Sequence, residues 1–378
     1  MLNYNRNYPK GAYAMKKKEL ITIIIIAIVL TAILFGAVFL SIRHRFGNND
    51  AEKTENIVRS GYQIKGYHLY FNQDGVIMKY NKITQSAEKL CHHEISAPNC
   101  PLETAKGNIF LYNERLYFKF GEENYVSYYD LNSGETVGLN ISIDDYSDIF
   151  LYEGKIYYIS ESSIFFISAD GGSAEKLRDI KSDMNSENIF MIAEGKIFTY
   201  TYRKSFFLTH LSQIFSYDID TKTLKELHSF HTSDDHPVKQ AKYFDGSIYL
   251  ITSTVIPSLD GIGFSNNNGI IRINIKNEEV NSICSESVKD YFLTDQNIYY
   301  VNDLKKGIIK INHNGDDPKT VYTNPNLTYS SLCFINDSLL GLFNGECPEL
   351  GIGEGKFYAI INLKDGSMDK VNIPDHLS

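Results

Sequence analysis

The sequence predicts an all-β chain whose repeats close into a seven-bladed β-propeller, preceded by one N-terminal transmembrane helix. Three observations carry that reading. The stretch 148–177, DIFLYEGKIYYISESSIFFISADGGSAEKL, holds four short runs rich in β-branched and aromatic residues, DIFLY, KIYYIS, SIFFIS and SAEKL, parted by turn-forming clusters. The apolar pair of its second run recurs as Leu69/Tyr70, Leu116/Tyr117, Ile156/Tyr157, Ile197/Phe198, Ile248/Tyr249, Ile298/Tyr299 and Leu339/Leu340, at steps of 47, 40, 41, 51, 50 and 41 residues. An independent mark keeps the same phase. An aromatic residue or Ile, then Asp, Asn or Ser, closes the third run at Tyr80, Tyr129, Ile167, Tyr217, Ile273, Ile311 and Ile361. Four-stranded repeats of about 40–50 residues are blades rather than solenoid coils. Six or eight blades are the alternatives, because the first repeat has weak edges and Ile57 and Val58 could add a strand.

Taken in chain order, residues 1–19 are a short tail with Arg6, Lys10 and the run Lys16, Lys17, Lys18. Leu20 to Ile42 follow as 23 residues without a charge. As a helix they cover about 34 Å, enough for a hydrocarbon core. No Cys stands at the membrane edge for lipid attachment, and the segment lacks a small-residue cleavage site, so it reads as an uncleaved signal anchor. The excess of positive charge before it orients the tail to the cytoplasm and the remainder outside. Residues 43–59 are a polar tether, and 60–378 form the propeller. With 27 Tyr and 22 Phe but no Trp, the chain has the aromatic load of half-buried pleated surfaces. Its formal charge of −9, with no basic stripe beyond the N-terminus, excludes nucleic acid as a partner.

The phrases GKIYY, SIFFIS and YDIDTKTLKEL give the chain, over about residues 57–373, a resemblance to membrane-anchored bacterial propellers of unknown function described as low-density-lipoprotein-receptor-like. LCHHEISAPNCP, from Leu90 to Pro101, is similar to a shortened form of a Cys- and His-bearing first-blade segment of that group. The resemblance implies a fold and a surface location rather than an activity. No YWTD motif occurs, so kinship with the receptor propellers themselves is architectural.

In a four-stranded meander the connections after the second and fourth strands open on one face. Here those connections hold irregular insertions at 201–213, 252–269 and 344–355, and long interblade stretches at 91–107, 178–188 and 228–239. Long loops on a rigid scaffold are where binding resides. Adjacent interblade loops are spatial neighbours, so Asp144, Asp145, Asp148, Asp183, Glu187, Asp234 and Asp235 are candidate ligand-binding residues along one arc. His228, His231 and His236, in HSFHTSDDH on one long loop, are candidate metal ligands, and a divalent cation such as calcium is the cofactor such carboxylates would take. The competing reading is a solvated acidic rim. Of five cysteines, Cys91 with Cys100 and Cys333 with Cys347 are candidate disulfides, leaving Cys284 free; five inert thiols are the alternative.

No nucleophile elbow, zinc-protease helix motif or phosphate loop occurs. The reading is a non-catalytic binding or sensing module at the cell membrane, taking an extracellular protein, peptide or glycan through its long-loop face. A hydrolase or lyase using the carboxylates of that face, and a scaffold in a membrane complex, are the alternatives.

Overall fold

The structure, a computed structural model, describes residues 62–65, 68–73, 75–81, 83–84, 86–91, 100–122, 124–144, 147–180, 187–204, 210–257, 264–302, 304–335 and 338–371. The expected span Leu20 to Ile42, the tail, the tether and the possible extra strand at Ile57 and Val58 lie outside these residues. Among the described residues no helix is long and apolar enough to cross a membrane.

Seven four-stranded antiparallel sheets succeed one another along the chain, each built from four consecutive strands. Their blades span 62–89, 105–142, 150–179, 187–232, 238–284, 288–323 and 327–370. First strands of successive blades lie side by side, as with Glu187–Ala193 against Val238–Phe244, so the first strand of each sheet lines the central channel. Burial follows position in the blade. The second strands Arg115–Phe120 and Lys155–Ser160 are buried on both faces through four central residues, because a neighbouring blade packs on each side. The outermost strands Glu175–Asp179 and Lys319–Thr323 have no buried residue. That is why KIYYIS reads as an unbroken apolar run and EKLRD does not.

The core is therefore divided into layers between blades. Leu90, Leu102, Ile109 and Phe118 pack between the first and second blades, and Ile214, Tyr243, Ile248 and Ile273 between the fourth and fifth. The last blade packs on the first through one cluster that joins Leu69, Phe71 and Tyr80 to Leu339, Phe343 and Tyr358. The rings of Phe71 and Tyr358 meet edge to face at 6.4 Å. Among the described residues no sheet combines strands from both ends of the propeller, and side-chain packing joins the last blade to the first.

The mark after each third strand acts as a turn lock. Asn81, Asp130, Ser168, Asp218, Asn274, Asn312 and Asn362 each accept a backbone N–H from two or three residues ahead, at 2.8–3.2 Å. The apolar residue before each lock is buried in six blades, while Tyr129 is half-buried. These turns also join blades. Tyr117 donates to the Ala169 carbonyl at 3.1 Å, Arg115 pairs with Asp170 at 2.9 Å, and Lys196 with Glu278 at 2.8 Å. The short-turn face thereby carries contacts that hold neighbouring blades together.

In their described residues the three expected irregular insertions are instead continuations of the sheets. The second and third strands of the fourth, fifth and seventh blades run to Lys196–Lys204 and His210–Asp218, Ser247–Pro257 and Phe264–Asn274, and Ser338–Cys347 and Ile352–Asn362. Residues such as NNN at 266–268 look turn-like in isolation, yet ladder pairing with 253–255 satisfies their backbone groups. HSFHT was likewise expected in a loop and belongs to the strand Leu224–Thr232.

Candidate functional site

First strands enter the ring from the long-loop face, and their opening residues occupy equivalent places around the channel mouth. Strand pairing fixes the equivalence. Asn188 faces Tyr200, Gln240 faces Ile251, Asp290 faces Val301 and Ser331 faces Leu342, all at the same distance from the turn joining the first two strands. A register shift accompanies the position in each of these four strands, as at Ile189/Met191 and Val238/Gln240. Such bulges re-aim side chains. Asn108 lies within the register shift between Lys106 and Phe110 in the first strand of the second blade, and Asp148 stands two residues before the first strand of the third, Phe150–Tyr152. The result is a polar collar.

On one side of the mouth this collar opens into a cleft of about 310 Å³. Asn108, Asp148, Asn188 and Gln240 supply its polar lining from four successive blades. Phe150, Ile189, Phe190, Val238 and Ala241 supply apolar walls, and Tyr200 and Lys239 complete it. Asp148 is held in place from both sides. Its Oδ2 accepts the Asn108 N–H at 3.0 Å and its Oδ1 the Ile149 N–H at 2.9 Å. Burial pushes its pKa up, while the charge of Lys119 and the two backbone donors pull it down. Lys119 is itself buried and donates to the Ser147 carbonyl at 2.5 Å. Gly107 makes room for this carboxylate: a Cβ there would stand 2.6 Å from both Asp148 oxygens. Asp290 repeats the arrangement two blades beyond Asn188. Its Oδ1 accepts the Tyr291 N–H at 2.7 Å and lies 3.7 Å from buried Lys242.

Of the expected arc, Asp148 lines the cleft, and Asp234 stands beside it as the ion-pair partner of Lys239. Asp144 is exposed, and Asp235 is 60% exposed with its Oδ1 3.4 Å from His210. Asp145 and Asp183 lie outside the described residues. Glu187 is not on a solvated rim. It is buried in the first strand of the fourth blade, pairs with Arg178 and accepts from Thr199 at 2.7 Å. An interblade ion pair, not ligand access, accounts for a carboxylate so deep.

The three histidines do not converge. His228 and His231 sit three positions apart on one strand and so point to opposite sheet faces. His228 stacks on Phe230 at 5.7 Å, and burial lowers its pKa. Exposed His231 faces solvent, and exposed His236 approaches the Tyr200 hydroxyl at 3.4 Å. Among the described residues no three His, Cys, Asp or Glu side chains are placed to hold a metal ion.

Cys91 and Cys100 are buried side by side. Cys333 and Cys347 are not a pair. Cys333 faces Leu340, seven residues short of Cys347 on the neighbouring strand, or roughly 23 Å along it, where a disulfide needs Cα atoms within about 7 Å.

Asn108, Asn188 and Gln240 were not among the sequence candidates, although a signal for them exists. The triplets NIF at 108, DIF at 148 and NIF at 188 recur at intervals of 40 residues and mark the collar in three blades.

These features define a seven-bladed β-propeller with a channel-mouth cleft. No protein-family model matches the chain, and no curated protein matches it significantly. Solved structures share the fold at low identity. A prolyl endopeptidase is similar at a TM-score of 0.55 and 12% identity, over 86% of this chain and 50% of that one. An oligogalacturonate lyase in complex with manganese is similar at 0.53 and 12%, over 86% and 87%. The β-propeller domain of the Trilobed protease from Pyrococcus furiosus, described as having an open velcro topology, is similar at 0.51 and 9%, over 83% and 98%. The receptor-like phrases of the sequence gain a propeller fold from these likenesses and nothing narrower.

Proposed function

We propose that this protein is a membrane-tethered, extracytoplasmic binding or sensing module whose ligand enters the channel-mouth cleft on the long-loop face. The collar carries the reading. Four blades contribute Asn108, Asp148, Asn188 and Gln240 to one concavity with apolar walls, which is the make-up of a small-ligand site. The tether and the outward orientation rest on Leu20 to Ile42 and the lysines before it. A hydrolase or lyase acting through the same face is the second reading, favoured by a lyase among the proteins sharing the fold. Either reading places contact on one face only.

A photo-crosslinking residue placed at exposed Lys239, in the full-length protein on intact cells, should form a ligand adduct. The same residue at Ile83, on the short-turn face and 66% exposed, should form none. Adducts at Ile83 alone would overturn the reading. Release of product from peptides or glycans, abolished by Asp148→Asn, would move the assignment to the enzyme class.

A further inference from the structure

The ligand's chemical class follows from which groups of the cleft remain uncommitted, an inference that rests on the cleft being the binding site. Its charged groups are spent. Lys239 is paired with Asp234, and Asp148 already takes two backbone N–H groups in the field of Lys119. A phosphate, a carboxylate or an ammonium would have to compete with those partners for its counter-charge and would lose its hydration on entering.

What remains is carboxamide. The Gln240 Oε1 is buried and has no hydrogen-bond partner, an arrangement that costs free energy unless a ligand or water supplies a donor. Asn188 is 7% exposed and lines the same cleft from the adjoining blade, and no described residue hydrogen-bonds its side chain. A carboxamide offers an acceptor and a donor side by side in one plane. That geometry matches a group that both donates and accepts at neighbouring atoms, as two adjacent hydroxyls do. The same cleft has apolar walls, with Phe150 and Phe190 each 7% exposed.

We infer that the cleft binds a neutral saccharide, its adjacent hydroxyls meeting Asn188 and Gln240 and the C–H face of its ring lying against Phe150 and Phe190. A pyranose has both surfaces at once: a rim of equatorial hydroxyls and an apolar face. A peptide would satisfy the carboxamides too, yet would turn further backbone N–H and C=O groups towards the phenyl walls, where nothing answers them.

The test uses the full-length protein in lipid nanodiscs, free of sugar-headed detergent, titrated calorimetrically with cellobiose, chitobiose, maltose and mannobiose. A galacturonic acid dimer and an uncharged tetrapeptide serve as comparators. At least one neutral disaccharide should bind, and Asn188→Asp and Gln240→Glu should each weaken it by about tenfold or more, the scale of one lost hydrogen bond. Thermal midpoints close to wild type establish that both variants are folded; if either is not, Gln240→Met, which keeps length and volume, takes its place. Failure of every neutral sugar while the uronate or the peptide binds, with sensitivity to these variants, overturns the saccharide inference and leaves the cleft as the site. Sugar binding indifferent to both variants overturns the inference and the cleft together.

Discussion

The sulfurs of Cys91 and Cys100 lie 3.1 Å apart, buried in the layer between the first and second blades. Both are thiols, and the loss of two hydrogens to a disulfide carrier outside the cytoplasm would join them with little movement. Closing a ten-residue loop stabilises by about 2.7 kcal/mol in the chain-entropy description. The protein oxidised in this way, denatured without reductant, should therefore show three free thiols of its five. Five would refute the bridge, and one would refute the separation of Cys333 from Cys347.

Gly107 has φ +66° and lies against the Asp148 carboxylate. Gly107→Ala combines a left-handed backbone with a clash, so it should destabilise by about 1–3 kcal/mol and displace Asp148 from the cleft. A thermal melt and a ligand titration read the two effects separately. An unchanged melting midpoint would show that Asp148 does not need this opening.

Arg178 and Glu187 form an ion pair with side chains only 12% and 2% exposed. Glu187→Ala strands the guanidinium and should cost about 3–5 kcal/mol, whereas Arg178→Met with Glu187→Met should recover most of that loss. Urea midpoints of the single and double variants decide it. Equal losses in both would mean that the pair stabilises beyond its own repair.

His313 bridges the fifth and sixth blades. Its Nε2 donates to the Thr294 carbonyl at 2.7 Å, its Nδ1 accepts from Tyr249 at 2.8 Å, and its ring stacks on Phe244 at 5.1 Å. Burial holds its pKa below the ordinary histidine value, against the opposing pull of the Thr294 carbonyl and with help from the charge of Arg272. Below about pH 6.5 the unfolded chain takes up the proton first, so stability is complete above that pH and falls as pH drops towards the folded value. Half-buried His228, also lowered, acts in the same direction. Urea midpoints should fall between pH 7.5 and 5.5, with a shallower fall in His313→Asn. Identical slopes in the two proteins would remove His313 from the account.

Blade count was legible because the second strand and the turn lock are both set locally. Tyr157 or Tyr249 needs apolar neighbours on two sides, and Asp218 or Asn274 needs only the N–H groups just ahead of it. The collar was harder to read. Its members stand 40 to 52 residues apart, at 108, 148, 188 and 240, and each belongs to a strand whose interblade lead-in varies in length. Bulges at Ile189/Met191 and Val238/Gln240 then break the alternation that would have told inward from outward residues. Glu187 shows the same limit from the other side. Nothing local to ENIFMIA distinguishes a buried partner of Arg178 from a solvated acid.

Closure through side-chain packing, with no strand pairing across it among the described residues, gives the ring a mechanical polarity. Six of the seven junctions between blades are crossed by the chain itself, and the seventh, between the blades of Phe71 and Tyr358, is not. A pull on the first strand of the first blade acts on that junction by peeling, with no ladder joining the two blades among the described residues. The remaining junctions keep their covalent links. A propeller of this build, pulled there, would yield first at one place, by lifting its first blade away from its last, and the cleft lined by the second to fifth blades would keep its shape while it did so.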